Sequence, residues 1–220
     1  MNTIKIFPSL ISADLLNLKN EINKLEPYCD GFHLDVMDNH FVPNLTWGHL
    51  FINDIAKIAK KTISVHLMIE NVDSFLPKLQ LPPKSIVSFH PESARDFKTT
   101  INFIKENKWV PSIAIGPKID IKTIFPLLET LPHILLMSVD PGFSGQPFLT
   151  ESIERLKEIT LYRQQHRLSF AIAMDGGINK SNIAELTNLG TTEFCIASGI
   201  FSQPDPIKAI KELYTIAKKN

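Results

Sequence analysis

The chain has 220 residues, 44% of them hydrophobic, with 23 lysines and arginines against 23 aspartates and glutamates; it can build a sizeable core and has no global field to attract nucleic acid or an anionic membrane. Cys29 and Cys195 lack the spacing of a zinc knuckle or redox pair and read as buried thiols in a reducing compartment. The opening "MNTIKIFPSL" has no signal-like apolar core, and no apolar run reaches about 18 residues, so a cytoplasmic protein without a membrane span is expected.

In chain order, "IKIFPSLI", "GFHLDVMD", "ISVHLMI", "SIVSFHP", "VPSIAIG", "HILLMSVD", "SFAIAMDGG" and "EFCIASG" are short apolar runs rich in isoleucine and valine. They are too continuous to alternate, as strands of a parallel sheet covered on both faces should be. Amphipathic segments such as "LLNLKNEINKL", "SARDFKTTINFIKEN", "ESIERLKEITLYRQQ" and "SNIAELTNLG" separate them, the last stopping at Gly190. Eight strands and eight helical segments predict an α/β fold, a (β/α)₈ TIM barrel formed as one domain over residues 1–220. The open doubly wound alternative calls for a glycine-rich turn after the first strand, and "PSLISADLL" has none.

In such a barrel the C-terminal strand ends share one mouth, where catalysis sits. Those ends carry Ser9, His33, Asp35, Met37, Asp38, His66, Met68, His90, Glu92, Met137, Ser138, Asp175, Ala197 and Ser198, and polar groups are expected to be nearly absent from the opposite end. His33 and Asp35, two apart on one strand, point to the same face. Joined by His66 and, across the mouth, Asp175, they make a donor set suited to a divalent ion such as Zn²⁺, Fe²⁺ or Mn²⁺. Any one such histidine is more often an ordinary core or rim residue. Several ionisable groups facing one cavity, however, need compensation, because each costs several kcal/mol when buried alone.

Apart from the initiator, every methionine (Met37, Met68, Met137, Met174) lies near the C-terminal end of a strand, where thioethers can line a dry reaction centre. The glycine stretches "DPGFSGQPF", "DGGIN" and "ASG" follow strands six, seven and eight. Loops in that position commonly bind phosphate through backbone N–H groups.

"PSLISADLL", "FHLDVMDNHFVPN", "HLM", "FHPES", "MSVDPGFSGQPF" and "DGGI", in this order over almost the whole chain, resemble the ribulose-phosphate 3-epimerase family. The resemblance implies a metal-dependent TIM barrel that interconverts D-ribulose 5-phosphate and D-xylulose 5-phosphate through an enediolate, with one divalent ion (Zn, Fe, Mn or Co) and no organic cofactor. It implies His33, Asp35, His66 and Asp175 as metal ligands, with Asp35 and Asp175 also the acid/base pair. Ser9, His66, Met37, Met68 and Met137 would surround the substrate, and Gly142, Phe143, Ser144, Gly145, Gly176, Gly177, Ala197 and Ser198 would bind its phosphate. A small sugar phosphate is the implied partner, and a homo-oligomer the implied assembly. Asp38 is assigned to loop orientation, and His40 and His49 to the loops or surface.

Asn39, Ser144, Gly116 and Ala197 depart from the commonest family pattern, which bears on substrate fit more than on reaction type. The sister branch acting on D-allulose 6-phosphate is therefore an alternative, as is a non-catalytic sugar-phosphate-binding barrel. A barrel decarboxylase or aldolase of similar phosphate architecture generally needs a catalytic lysine, and none stands at these strand ends.

Overall fold

The computed structural model describes residues 3–218. Eight strands run in the order expected: β1 Lys5–Pro8, β2 Gly31–Met37, β3 Thr62–Met68, β4 Ile86–Phe89, β5 Val110–Ile115, β6 His133–Met137, β7 Ala171–Asp175 and β8 Glu193–Ile196. All seven ladders are parallel, in the spatial order β1-β8-β7-β6-β5-β4-β3-β2. The remaining seam, β2 back to β1, carries a single bridge between Ser9 and His33. Asp30 mends it from both sides: its N–H donates to Ile6 O at 3.1 Å, and its Oδ2 accepts the Ile6 N–H at 2.9 Å and the Tyr214 hydroxyl.

The helices between are α1 Leu18–Leu25, α2 His49–Ile58, α3 Val72–Phe75, α4 Phe97–Glu106, α5 Phe125–Leu128, α6 Glu151–Gln165, α7 Ile183–Asn188, α8 Ser198–Phe201 and α9 Pro206–Ala217. Local chemistry starts and stops them. Asp96 caps α4 by accepting the Thr99 N–H at 2.7 Å, and Asp205 caps α9 by accepting that of Lys208 at 3.0 Å, with Pro206 in the first turn. Gly190, at φ +108°, lies just beyond α7. The described residues thus hold nine α-helical segments where eight were expected. The additional one is the short α8, which follows β8 directly, and α3 and α5 are only four residues each. No helix of the described residues is long and apolar enough to cross a membrane.

Apolar side chains divide into three groups. The largest packs the helices on the outside of the sheet; Phe7, Ile86, Ala114, Leu135, Ala173 and Cys195 form a second cluster; Met37, Met68 and Met137 with Val42 form a third at the C-terminal strand ends. Polar groups are not confined to that end, contrary to expectation. At the opposite end Lys5 Nζ lies 2.8 Å from Glu193 Oε1, Glu193 Oε2 lies 3.2 Å from His133 Nε2, and His133 Nδ1 lies 2.8 Å from Ser112 Oγ. Glu193, His133 and Ser112 are all buried. Burial raises the Glu193 carboxyl, but hydrogen bonds and charge from His133 and Lys5 outweigh it and bring it down to about 2.

Two stability predictions follow from this packing. A Cβ on Gly31 would lie 2.2 Å from Thr62 O and 2.7 Å from the Phe7 ring, so Gly31→Ala should lower the urea-unfolding free energy by about 1–3 kcal/mol or more; an unchanged midpoint would refute the tight seam. Glu193, depressed from 4.5 to about 2, stabilises the fold above its ordinary value and loses that contribution as pH falls through this window. Glu193→Gln should therefore cost about 3 kcal/mol at neutral pH, with the gap to wild type closing between pH 4.5 and 2.

Candidate active site and metal centre

Strand alternation brings the expected donors together. His33 and Asp35 project inward from β2, His66 comes from β3, one ladder away in register with Asp35, and Asp175 closes β7. His33 Nε2 lies 3.3 Å from Asp35 Oδ1 and 3.6 Å from Asp175 Oδ2, and His66 Nδ1 lies 3.5 Å from each of the same oxygens. All four donor atoms fall within 4.8 Å of one another. Both histidines are fully buried, and both nitrogens lack a hydrogen-bond partner despite the nearby carboxylates.

Hydrogen bonds behind these groups fix their orientation. His33 Nδ1 lies 3.1 Å from Ser64 Oγ and 3.2 Å from Cys195 Sγ; a hydrogen on Nδ1 directed to the hydroxyl leaves the Nε2 lone pair facing the carboxylates. His66 Nε2 lies 3.1 Å from His90 Nε2. Ser9 Oγ donates to Asp35 Oδ2 at 2.5 Å. Thr46 donates its hydroxyl to Asp35 O at 2.7 Å and accepts the Met37 N–H at 2.9 Å, which pins the end of β2. Ser138, just past β6, bonds through its hydroxyl to Asp175 O and Gly176 O at 3.0 and 2.6 Å.

These residues fit a divalent cation. Ligands about 2.0–2.2 Å from one ion stand roughly 2.8–3.6 Å apart at bond angles between square and tetrahedral, and the four histidine–carboxylate separations lie in that range. Two buried carboxylates need about two positive charges to balance them. Burial raises Asp35 and Asp175, and the Asp35 charge raises Asp175 further, yet the two imidazoles hold both below the carboxylate range. Burial lowers His33 and His66, but the carboxylates, with Cys195 beside His33, lift both above the usual imidazole value.

Above this cluster lies a cavity. Ser9, Asp35, Asp175 and the methionines Met37, Met68 and Met137 line it, whereas His33 and His66 are buried behind the aspartates. Gly142, Phe143, Ser144 and Gly145 line it from the loop after β6, Gly176 and Gly177 from that after β7, and Ala197 and Ser198 from the start of α8. Gly177 has φ +65°, and a Cβ there would lie 2.6 Å from Phe148 N, so only glycine lets this turn pass beneath its neighbour. The loop after β6 is tied across the mouth: Asn44 Nδ2 donates to Gly142 O at 2.7 Å and Ser12 Oγ to Ser144 Oγ at 3.1 Å. Asp38 orients the loop after β2, accepting N–H groups of His40, Phe41 and Glu70 at 2.8–2.9 Å, and Asn39 takes the left-handed φ of 60° that its residue type tolerates. His40 lies exposed in that loop.

Several groups went unnoticed in the sequence. Ser64 and Cys195 back His33, and Thr46, Ser12 and Asn44 hold the loops. Only Ser64 carried a readable signal, being two residues before His66 and so on the same face of its strand. Ile11, Val139 and Gln146 also line the cavity without having been expected there.

Comparison with known proteins identifies the family. The sequence model of the "Ribulose-phosphate 3 epimerase family" matches residues 5–201. Ribulose-phosphate 3-epimerase of Escherichia coli K12 is 35% identical over 97% of this chain and 96% of its own length. The Bacillus subtilis enzyme of the same name is 34% identical over 96% and 98%, and that of Helicobacter pylori 26695 is 36% identical over 97% and 98%. Among solved structures, 3-hexulose-6-phosphate synthase from Salmonella typhimurium superposes with a TM-score of 0.69 at 16% identity, over 97% of this chain and 98% of that one. Orotidine 5'-phosphate decarboxylase from Pyrococcus horikoshii gives 0.66 at 13%, over 98% and 100%; at such identities both likenesses concern the barrel fold alone. With the family's sequence pattern matched along nearly all of the barrel and relatives above 30% identity covering almost the whole chain, the protein belongs to the ribulose-phosphate 3-epimerase family of isomerases.

Proposed function

We propose that the protein interconverts D-ribulose 5-phosphate and D-xylulose 5-phosphate by removing the C3 proton from one face of the ketose and delivering a proton to the other. The observation that carries this reading is the pairing of Asp35 and Asp175. They come from strands on different sides of the mouth, approach the same two imidazoles and open on one cavity. Inversion needs one carboxylate to accept the proton and a second to supply one from the opposite side, and the two exchange roles when the reaction runs backward. The names of the bacterial relatives support a ribulose phosphate as substrate.

The chain's residues divide the remaining work. His33, Asp35, His66 and Asp175 would hold one divalent ion, zinc, iron, manganese or cobalt. Once bound, that ion supplies electrostatic stabilisation for the negative charge that develops on the substrate's oxygens, an effect of several kcal/mol in comparable sites. Ser9, bonded to Asp35, keeps that carboxylate turned toward the cavity. Met37, Met68 and Met137 exclude water around C3 and offer no competing proton donor. Backbone N–H groups of the glycine turns after β6 and β7, with those of Ala197 and Ser198, bind the phosphate and set the distance from it to C3.

Proton NMR of each sugar phosphate in D₂O tests the assignment. Deuterium should enter C3 of D-ribulose 5-phosphate as D-xylulose 5-phosphate appears, both should stop after chelation, and both should return on adding back a divalent ion. Exchange into D-allulose 6-phosphate in place of the pentose would overturn the substrate, and loss of neither signal on chelation would overturn the role of the ion. Asp35→Asn and Asp175→Asn should each lower epimerisation by about 10²-fold or more, since each removes one proton carrier. Full epimerisation by either variant would sink the two-carboxylate scheme.

A further inference from the structure

We propose that His90 is a positioning residue for His66: its ring accepts the Nε2 hydrogen of His66 and so holds the His66 Nδ1 lone pair toward the space between Asp35 and Asp175. This rests on the reading that the four-residue cluster holds a divalent ion.

His90 directly follows β4 and is 1% exposed. Its backbone is fixed, because its carbonyl accepts both the N–H and the hydroxyl of Ser93, at 2.9 and 2.7 Å. Its ring is fixed too, lying between that of His66, stacked at 5.2 Å, and that of Phe41, at 4.7 Å. The two Nε2 atoms are 3.1 Å apart.

A contact between two imidazole nitrogens at that distance has room for one hydrogen, so one ring donates and the other accepts. If His90 donates, His66 must carry its own hydrogen on Nδ1, and Nδ1 then cannot ligate. If His66 donates, its Nδ1 keeps a lone pair. That nitrogen has no hydrogen-bond partner and faces Asp35 Oδ1 and Asp175 Oδ2, each at 3.5 Å.

Ligation selects the second arrangement, since only with its hydrogen on Nε2 does His66 present a lone pair from Nδ1. As the acceptor through Nε2, His90 then carries its own hydrogen on Nδ1, a side that faces Glu92 Oε1 at 3.7 Å, beyond hydrogen-bond reach but of favourable charge. Orientation therefore passes from His90 to His66. An uncharged ring also serves here where a carboxylate would not, since it adds no third negative charge beside the aspartates.

The test uses the full chain and metal ions alone. In the zinc-loaded wild type, ¹⁵N NMR of the histidine rings should show scalar coupling across the His66–His90 hydrogen bond, with the hydrogen on His66 Nε2. In competition with a chromophoric chelator, His90→Leu should bind Zn²⁺ about 10–100-fold more weakly, and His90→Gln, which restores an acceptor, should recover most of that loss. The Co²⁺ absorption spectrum should change in His90→Leu and revert toward wild type in His90→Gln. A hydrogen found on His90 Nε2, or Zn²⁺ affinity of His90→Leu within about twofold of wild type, would overturn the positioning role and leave the metal site standing. Equal Zn²⁺ uptake by wild type and His66→Ala would overturn the metal site and this inference with it.

Discussion

Two carboxylates with little exposure, Asp35 and Asp175, stand against the same pair of imidazoles, and the rest of the structure answers to that fact. Like charges so close and so poorly solvated cannot persist without about two compensating positive charges. Protons on His33 and His66 can provide them, and so can one divalent cation. The choice between these depends on where the imidazole hydrogens are held. Ser64 and His90 sit at the nitrogens facing away from the carboxylates, which frees the other two for an ion. Neither partner is charged, so the electrostatic balance of the cluster is left to the aspartates and whatever they bind.

Placing four such side chains within a few ångströms is a problem of register, and the parallel barrel solves it with little local invention. Two-residue alternation on β2 puts His33, Asp35 and Met37 on one face, the β2–β3 ladder sets Asp35 opposite His66 and Met37 opposite Met68, and the β6–β7 ladder sets Met137 opposite Asp175. A one-residue slip in any of these ladders would turn a ligand outward into the helix layer. Closure at the weak β1–β2 seam therefore matters to chemistry as well as stability, since the Ser9–His33 bridge that completes it joins two site residues.

Much of this was legible because it is local or periodic. Strand ends followed from apolar runs, the shared face of His33 and Asp35 from their spacing, and the 15-residue α6 from its amphipathic stretch. What escaped depends on groups distant in sequence. Asp30 repairs the sheet edge for a residue 24 positions away, and His133 meets Glu193 across 60. Glu193 begins "EFCIASG" with no local sign that it turns inward, and the four-residue α3 and α5 are each continuous with a 3₁₀ turn, Leu76–Lys78 and Ile121–Ile124, so the helical segments between strands are split where an apolar pattern suggests one.

The two ends of the barrel then differ in a way that composition alone cannot reveal. Both contain buried histidine and carboxylate, so a tally of ionisable residues would treat them alike. At the β1–β8 start, Glu193 is met by Lys5 and His133, and His133 in turn by Ser112, so both carboxylate oxygens and both ring nitrogens have a partner. At the mouth His33 Nε2 and His66 Nδ1 have none. A completed network leaves nothing for a ligand to gain and serves the fold. An incomplete one, held open by rigid strands and backed by partners that fix its lone pairs, stores its unmet interactions for a cation and a substrate, and that difference locates the chemistry at the C-terminal strand ends.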